Sequence, residues 1–251
     1  VLRGLERFVY GQSDLAVSVT RSFVPHLAAQ GARRVAVVPN GADPGAFRPL
    51  DDREGIRRSL GIEGRFVASF VGTLGMAHGL ETVLDAAEIL RDDPAYLFWL
   101  IGEGARRSEL EEAARRRGLT NLRFEGQVPR SEVPVLLAAS DAALVLLRPD
   151  PLFETVLPSK MFEAMAAARP VVLGVGGEAR DLLLESGGGI PIPPGDAEAL
   201  AEALRTLARG PGLADALGRS GREFVVRRFS HDALAETYLS ELQSLLDATR
   251  R

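Results

Sequence analysis

The sequence predicts a doubly wound α/β fold, a Rossmann-like parallel sheet with helices on both faces. Three observations carry this. Short β-rich runs alternate with longer helical patterns along nearly the whole chain. The runs are apolar throughout instead of alternating, which marks strands buried on both faces. Several of them end in glycine just before a helical pattern begins, as happens at the carboxyl edge of such sheets.

The expected strands are 14–19 (DLAVSV), 34–38 (RVAVV), 65–71 (RFVASFV), 95–101 (AYLFWLI), 122–126 (LRFEG), 142–147 (AALVLL), 170–175 (PVVLGV) and 189–192 (GIPI). Each is dominated by aliphatic and aromatic residues. Apolar residues at helical spacing predict helices over 80–90, 106–118 and 132–140. Proline, glycine and aspartate crowd residues 39–55 (PNGADPGAFRPLDDREG), where both periodicities stop, so a domain boundary is expected there. Two strands precede it, too few for a doubly wound unit. Residues 1–48 are therefore expected to be the terminal segment of an N-terminal Rossmann-like domain that is mostly missing. The start at Val1, without methionine, reads as the middle of a longer chain. A domain over 49–229 is expected to follow. Beyond 189–204 the chain is helical, over 212–229 and then 230–251, the last helix being expected to pack back on the first segment.

With 251 residues, 46% of them apolar, the chain can bury a sizeable core. A formal charge of −4 lacks the basic field of a nucleic-acid binder, so no nucleic-acid partner is expected. The absence of cysteine excludes disulfides, thiolate metal sites and cysteine nucleophiles. No apolar run reaches the ~18–20 residues of a membrane-spanning helix. Three scattered histidines give no reason to expect a metal.

Chemistry is expected at four strand ends. In FVGTLGMAHGLETVL (70–84), Gly72, Gly75 and Gly79 follow a strand. Glycines there let backbone amides approach a phosphate, or serve a turn that needs their φ angles. His78 is placed to donate to a phosphate. In LIGEGARRSELEEAA (100–114), Gly102 and Gly104 clear space, and Arg106 and Arg107 oppose the helix dipole, which suits either a bound anion or a solvated charged face. In RFEGQVPRSEVPVLL (123–137), Gly126, Gln127 and Val128 could present backbone to a base edge ahead of a helix capped by Ser131. The fourth is LPSKMFEAMAAARPVVL (157–173), which holds the chain's one lysine. Pro158 suits the first helical position, and the amides of Ser159, Lys160 and Met161, the Ser159 hydroxyl and the Lys160 ammonium would together form a phosphate site. Glu163 lies on the same face and suits paired sugar hydroxyls, whereas a Lys160–Glu163 surface pair is the plainer alternative. Phe162, Met165 and Ala166 would pack on the sheet. Gly176, Gly177 and Glu178 open the next helix and are expected beside the Ser159 helix head.

Taken in order, VVPNGADPGAFRP, FVGTLGMAHGLETVLDAAEIL, LIGEGARRSELEEAA, LRFEGQVPRSEVPVLLAASDAALVLL, LPSKMFEAMAAARPVVLG, GGGIPIPPGDAEALAEAL and GRSGREFVVRRFS resemble the C-terminal donor-binding domain of retaining GT-B glycosyltransferases of family 4. PSKMFEAMA and GMAHGLETVL are similar to the bacterial surface-polysaccharide branch, of N-acetyl-fucosamine and colanic-acid type. The resemblance implies a nucleoside diphosphate sugar, UDP- in preference to GDP-, with Glu163 on the ribose hydroxyls and Lys160 on the diphosphate. It implies donor contacts from the strand-end residues named above, and from Glu154 and Thr155. The family's first motif glutamate falls on Thr155, with Glu154 one position off. An Arg and a Lys common in the first glycine loop are absent; Leu74 and Met76 occupy that loop, and His78 stands at the lysine position.

The same resemblance implies a carbohydrate or lipid-linked acceptor, retention without a named nucleophile, and no cofactor or metal. It implies a cytoplasmic protein whose full-length form associates peripherally with the inner face of the membrane. Because the acceptor-binding first domain is represented by its tail, this chain is expected to bind donor and to transfer poorly alone. A non-catalytic nucleotide-sugar module and a sugar-nucleotide epimerase of the same architecture are the alternatives. A nicotinamide dehydrogenase would need G-x-G-x-x-G, which neither GTLGMAHG nor GEGARRSE supplies.

Overall fold

The computed structural model describes residues 2–249. Two parallel sheets form. The smaller pairs β1 (Ala16–Ser18) with β2 (Val35–Val37); α1 (Leu2–Gln12) precedes β1 and α2 (Val24–Ala29) links the two strands. The larger contains β3 (Phe66–Val71), β4 (Tyr96–Ile101), β5 (Leu122–Glu125), β6 (Ala142–Leu146), β7 (Val171–Gly174) and β8 (Gly189–Pro191). Its order is β5-β4-β3-β6-β7-β8, parallel throughout. The chain starts at β3 in the middle, moves out to β5, then returns to the other side of β3 at β6. That reversal leaves a crevice beyond the carboxyl ends of β3 and β6, where open α/β sheets take their ligands.

Helices cover both faces. After α3 (Arg53–Ser59), α4 (Glu81–Ile89) and α5 (Arg107–Arg117) lie on one side with α9 (Ala197–Arg209), burying Leu84, Leu110 and Leu204 against Phe98, Leu100 and Leu144. On the other face α6 (Val133–Ala139), α7 (Ser159–Ala166) and α10 (Pro211–Arg228) contribute Leu137, Phe162, Met165 and Phe224, packed with Val145 and Leu173. Phe162 also stacks on Phe229, ring centroids 4.8 Å apart. In α7, Met161, Phe162, Ala164, Met165 and Ala166 are all buried, so this helix is anchored along its length and its head is held in place. The remaining helices are α8 (Gly177–Ser186) and α11 (His231–Thr249), and Arg34 beside β2 donates to Glu241 at 2.9 Å and Ser244 at 3.1 Å on α11.

Sequence reasoning placed the cap of α6 at Ser131. The helix instead begins from Glu132 with no side-chain cap bond, and Pro134 in its first turn removes one amide that would have needed a partner. At the amino edge of the large sheet, Asp141 ties three elements together. It accepts from Arg53 at 2.6 Å, Arg57 at 3.1 Å and the Val67 amide at 2.7 Å. Arg57 is only 4% exposed, so Asp141→Ala would leave a buried charge without its nearer counter-ion, with Glu54 3.9 Å away as the remaining one, an expected loss of about 3–5 kcal/mol. A urea denaturation showing less than about 1 kcal/mol would contradict this reading.

Candidate functional site

The site is built around the head of α7, beside the β3 and β6 strand ends. Pro158 is the N-cap, not the first helical residue: its φ of −66° suits a helix but its ψ of 119° is extended. Its carbonyl already accepts from the Met161 amide at 3.1 Å. The unspent amides at this helix end are therefore those of Ser159 and Lys160, one fewer than the sequence suggested.

Lys160 turns back under the first glycine loop. Its Nζ is buried and has no hydrogen-bond partner among the described residues. It sits 4.0 Å from the centroid of the Phe70 ring, a cation–π contact that offsets part of its lost hydration. Gly72 makes room for it. A Cβ at Gly72, whose φ is +146°, would stand 2.9 Å from the Lys160 Nζ. Burial lowers the pKa of Lys160 to about 8, with Glu163 acting in the opposite sense. A buried ammonium without a hydrogen-bond partner is costly, and an anion reaching it would offset that cost. The surface Lys160–Glu163 pair considered from sequence does not form. Glu163 instead accepts from Arg130 at 3.3 Å. Burial raises the Glu163 pKa, opposed by Arg130, Lys160 and His231.

His78 closes a short 3-10 turn (Met76–His78), ahead of Gly79 and α4. Its ring lies 5.2 Å from that of Phe70, and its Nδ1 is 3.2 Å from the Leu146 carbonyl. A carbonyl can only accept, so Nδ1 carries the proton and the neutral ring offers Nε2 as an acceptor. Burial and then Lys160 hold its pKa below the ordinary histidine value. In its neutral form His78 accepts through Nε2, and donation to a phosphate, the role expected from sequence, requires the charged form.

The second glycine loop supports the first. The Gly72 amide donates to Ile101 at 2.9 Å, the Leu74 amide to Glu103 at 2.8 Å, and the Arg106 amide to Leu74 at 2.9 Å. A Cβ at Gly102 would collide with the Gly72 carbonyl, and one at Gly104 would lie 2.5–2.7 Å from Leu74 backbone atoms. These two glycines serve loop-to-loop packing. Leu74 is in the core and Met76 is exposed. Arg106 and Arg107 are spoken for. Arg106 pairs with Glu81 at 2.5 Å and with Glu109 at 2.7 Å, and Arg107 pairs with Glu103 and with Glu111 at 2.8 Å. Of the two readings of their placement, a bound anion or a charged face, these pairs match the charged face and leave no need for an anion.

The other predicted residues lie around this centre or away from it. Thr73 and Gly75 complete the first loop, Gly75 with an ordinary extended backbone. Gln127 is exposed, Val128 packs toward Trp99, and Gly126 lies against Arg107 and Glu103. Thr155 donates its hydroxyl to Leu152 within a 3-10 turn (Pro151–Thr155). Glu154, on the same turn, borders a cavity of about 330 Å³ with Arg148, Asp150, Phe153 and Gly176. The Gly176–Gly177 loop abuts Glu154, and Glu178 reaches away to Ser22. Sequence reasoning missed Phe70, Arg130 and Arg148. Arg148 lies two residues past Leu146, the last of β6, beyond the kind of strand end that selected the other candidates. Its amide donates to Ala77 at 2.9 Å, and its backbone packs on Gly79.

This geometry can be set beside known proteins. A model of the glycosyl transferases group 1 family matches residues 52–224. Over 255 residues the chain is 27% identical to a probable glycosyltransferase, WbjE, of Pseudomonas aeruginosa, covering 100% of this chain and 63% of that protein. A putative colanic acid biosynthesis glycosyl transferase, WcaI, of Escherichia coli is 29% identical over 165 residues, 64% of this chain and 40% of that protein. The structure of HepE from Anabaena, in complex with UDP and glucose, superposes with a TM-score of 0.84 at 22% identity, covering 97% of this chain and 66% of that one. This chain thus spans less than two thirds of the length of each of these proteins.

Proposed function

Because this chain belongs to the glycosyl transferases group 1 family, we propose that it holds the nucleoside diphosphate sugar of a retaining transferase. The observation that carries the reading is the buried Lys160 ammonium at the sheet's switch point, without a hydrogen-bond partner among the described residues and beside the two unspent amides of α7. In this reading Lys160 and those amides balance the charge that grows on the leaving diphosphate as the glycosidic bond breaks. Glu163 exchanges Arg130 for the paired ribose hydroxyls, and no metal takes part. His78 accepts a hydroxyl of the sugar through Nε2.

The donor is proposed to be UDP-linked, since HepE, of the same fold, is described with UDP-glucose, and the acceptor to be a polysaccharide or a lipid-linked sugar at the inner face of the cytoplasmic membrane. Among the described residues no helix is long and apolar enough to cross a membrane. Association at that face is proposed to be peripheral. The test is calorimetric titration with UDP, GDP, ADP and dTDP, beside a Glu163→Ala variant. One nucleotide is expected to bind, weakened by about 1–3 kcal/mol in the variant. Binding that is equal in the variant would remove Glu163 from the site.

A further inference from the structure

We infer that Glu178 is a positioning residue that latches the turn at residues 20–22 onto the donor-holding unit, by capping that turn from across the cleft. Glu178 lies in the first turn of α8, 156 residues along the chain from Ser22. Its Oε2 accepts from both the Ser22 amide and the Ser22 hydroxyl at 3.1 Å. Residues Arg21–Phe23 form a 3-10 turn whose own N-cap, Thr20, makes no side-chain cap bond. The carboxylate therefore supplies the cap that the local sequence does not, and a charged acceptor suits amides left unpaired at a helical start. Burial alone would raise the pKa of Glu178. The Ser22 amide and hydroxyl, both within 3.1 Å, lead the groups that outweigh it and hold the pKa below the usual carboxylate range.

The latch has a fixed root. Gly177, the first residue of α8, has φ +59°, and a Cβ there would collide with the Glu154 carbonyl. The start of α8 is thus wedged on the 3-10 turn that carries Glu154 and Thr155. Between that turn and the first segment lies a cavity of about 700 Å³, bordered by Val19, Thr20 and Phe23 on one side and Phe153, Thr155 and Val156 on the other. Through Glu178, the carboxyl end of β1 is held at a set distance from the donor-side turn, and this cavity is kept open to a defined width. Releasing Glu178 lets the 20–22 turn move independently of the large sheet. The latch does not depend on which nucleotide the crevice accepts.

Hydrogen exchange on the whole chain tests this. In Glu178→Ala, peptides spanning residues 16–24 should exchange about tenfold faster, while β3 and α7 keep their protection. Glu178→Gln, which retains an acceptor oxygen but no charge, should give a smaller change, and adding Ser22→Ala to Glu178→Ala should add nothing further. Unchanged exchange over 16–24 in both Glu178 variants would overturn the inference. So would equal loss of protection throughout the chain, since that would make Glu178 a general support of the fold.

Discussion

Lys160→Met is expected to stabilise the fold and to weaken nucleotide binding at the same time. The methionine keeps an apolar stem over Phe70 and removes an ammonium that is buried without a hydrogen-bond partner. A pKa depressed from 10.5 to about 8 corresponds to ~3 kcal/mol of strain on the folded state. With part of that lost to imperfect packing, the variant should gain about 1–3 kcal/mol at pH 7. The sign with pH follows from the depressed value. The penalty is complete below about pH 8 and fades as pH rises toward 10.5, so the advantage of the variant should shrink between pH 7 and pH 10. Affinity for a nucleoside diphosphate should meanwhile fall on the order of 100-fold, the loss expected for a charge-assisted partner. Denaturation midpoints and calorimetry read the two effects separately. A variant that is less stable and binds normally would mean that Lys160 is a structural residue.

Gly72→Ala is the second large effect, and it removes no functional group. Its φ of +146° is strained for any residue with a Cβ, at about 1–3 kcal/mol. The added methyl would also occupy the space of the Lys160 Nζ, 2.9 Å away. The flexible lysine would yield before the backbone does, so the ammonium should leave its place and binding should fall with it. Gly118→Ala provides the comparison. Gly118 has φ +66° and nothing within 4 Å of its Cβ position, so it should lose comparable stability and keep its affinity. Equal loss of binding in both variants would show that Gly72 acts through stability alone.

The fold was legible because parallel strands buried on both faces leave apolar runs that no surface strand would carry, and YLFWLI is fully buried over its six residues. The head of α7 was legible as a proline, a hydroxyl and a cation ahead of an apolar helix. Its geometry was not. Pro158 has a φ that fits both the N-cap and the first helical position, and only ψ separates them. The glycines at 72, 102 and 104 stand out in the sequence as places for a backbone to approach a phosphate, whereas the contacts that need them in the structure are of another kind. These glycines admit a lysine and a neighbouring loop, which are contacts between segments far apart in the chain. The fate of Arg107 was readable, since Glu103 and Glu111 stand four residues away on either side. Arg130 over Glu163 was not, because no periodicity links a loop arginine to a helix 33 residues later.

The proposed pairing of Lys160 with a diphosphate is directly measurable, because Lys160 is the single lysine of this chain. With 13C-labelled lysine, the Cε resonance can be titrated against pH in the free chain and again with saturating UDP. The account predicts one resonance with a pKa of about 8 in the free chain, rising by about 1 unit or more when UDP is bound. A free-chain pKa near the ordinary 10.5, or a depressed value that saturating UDP leaves unmoved, would contradict it.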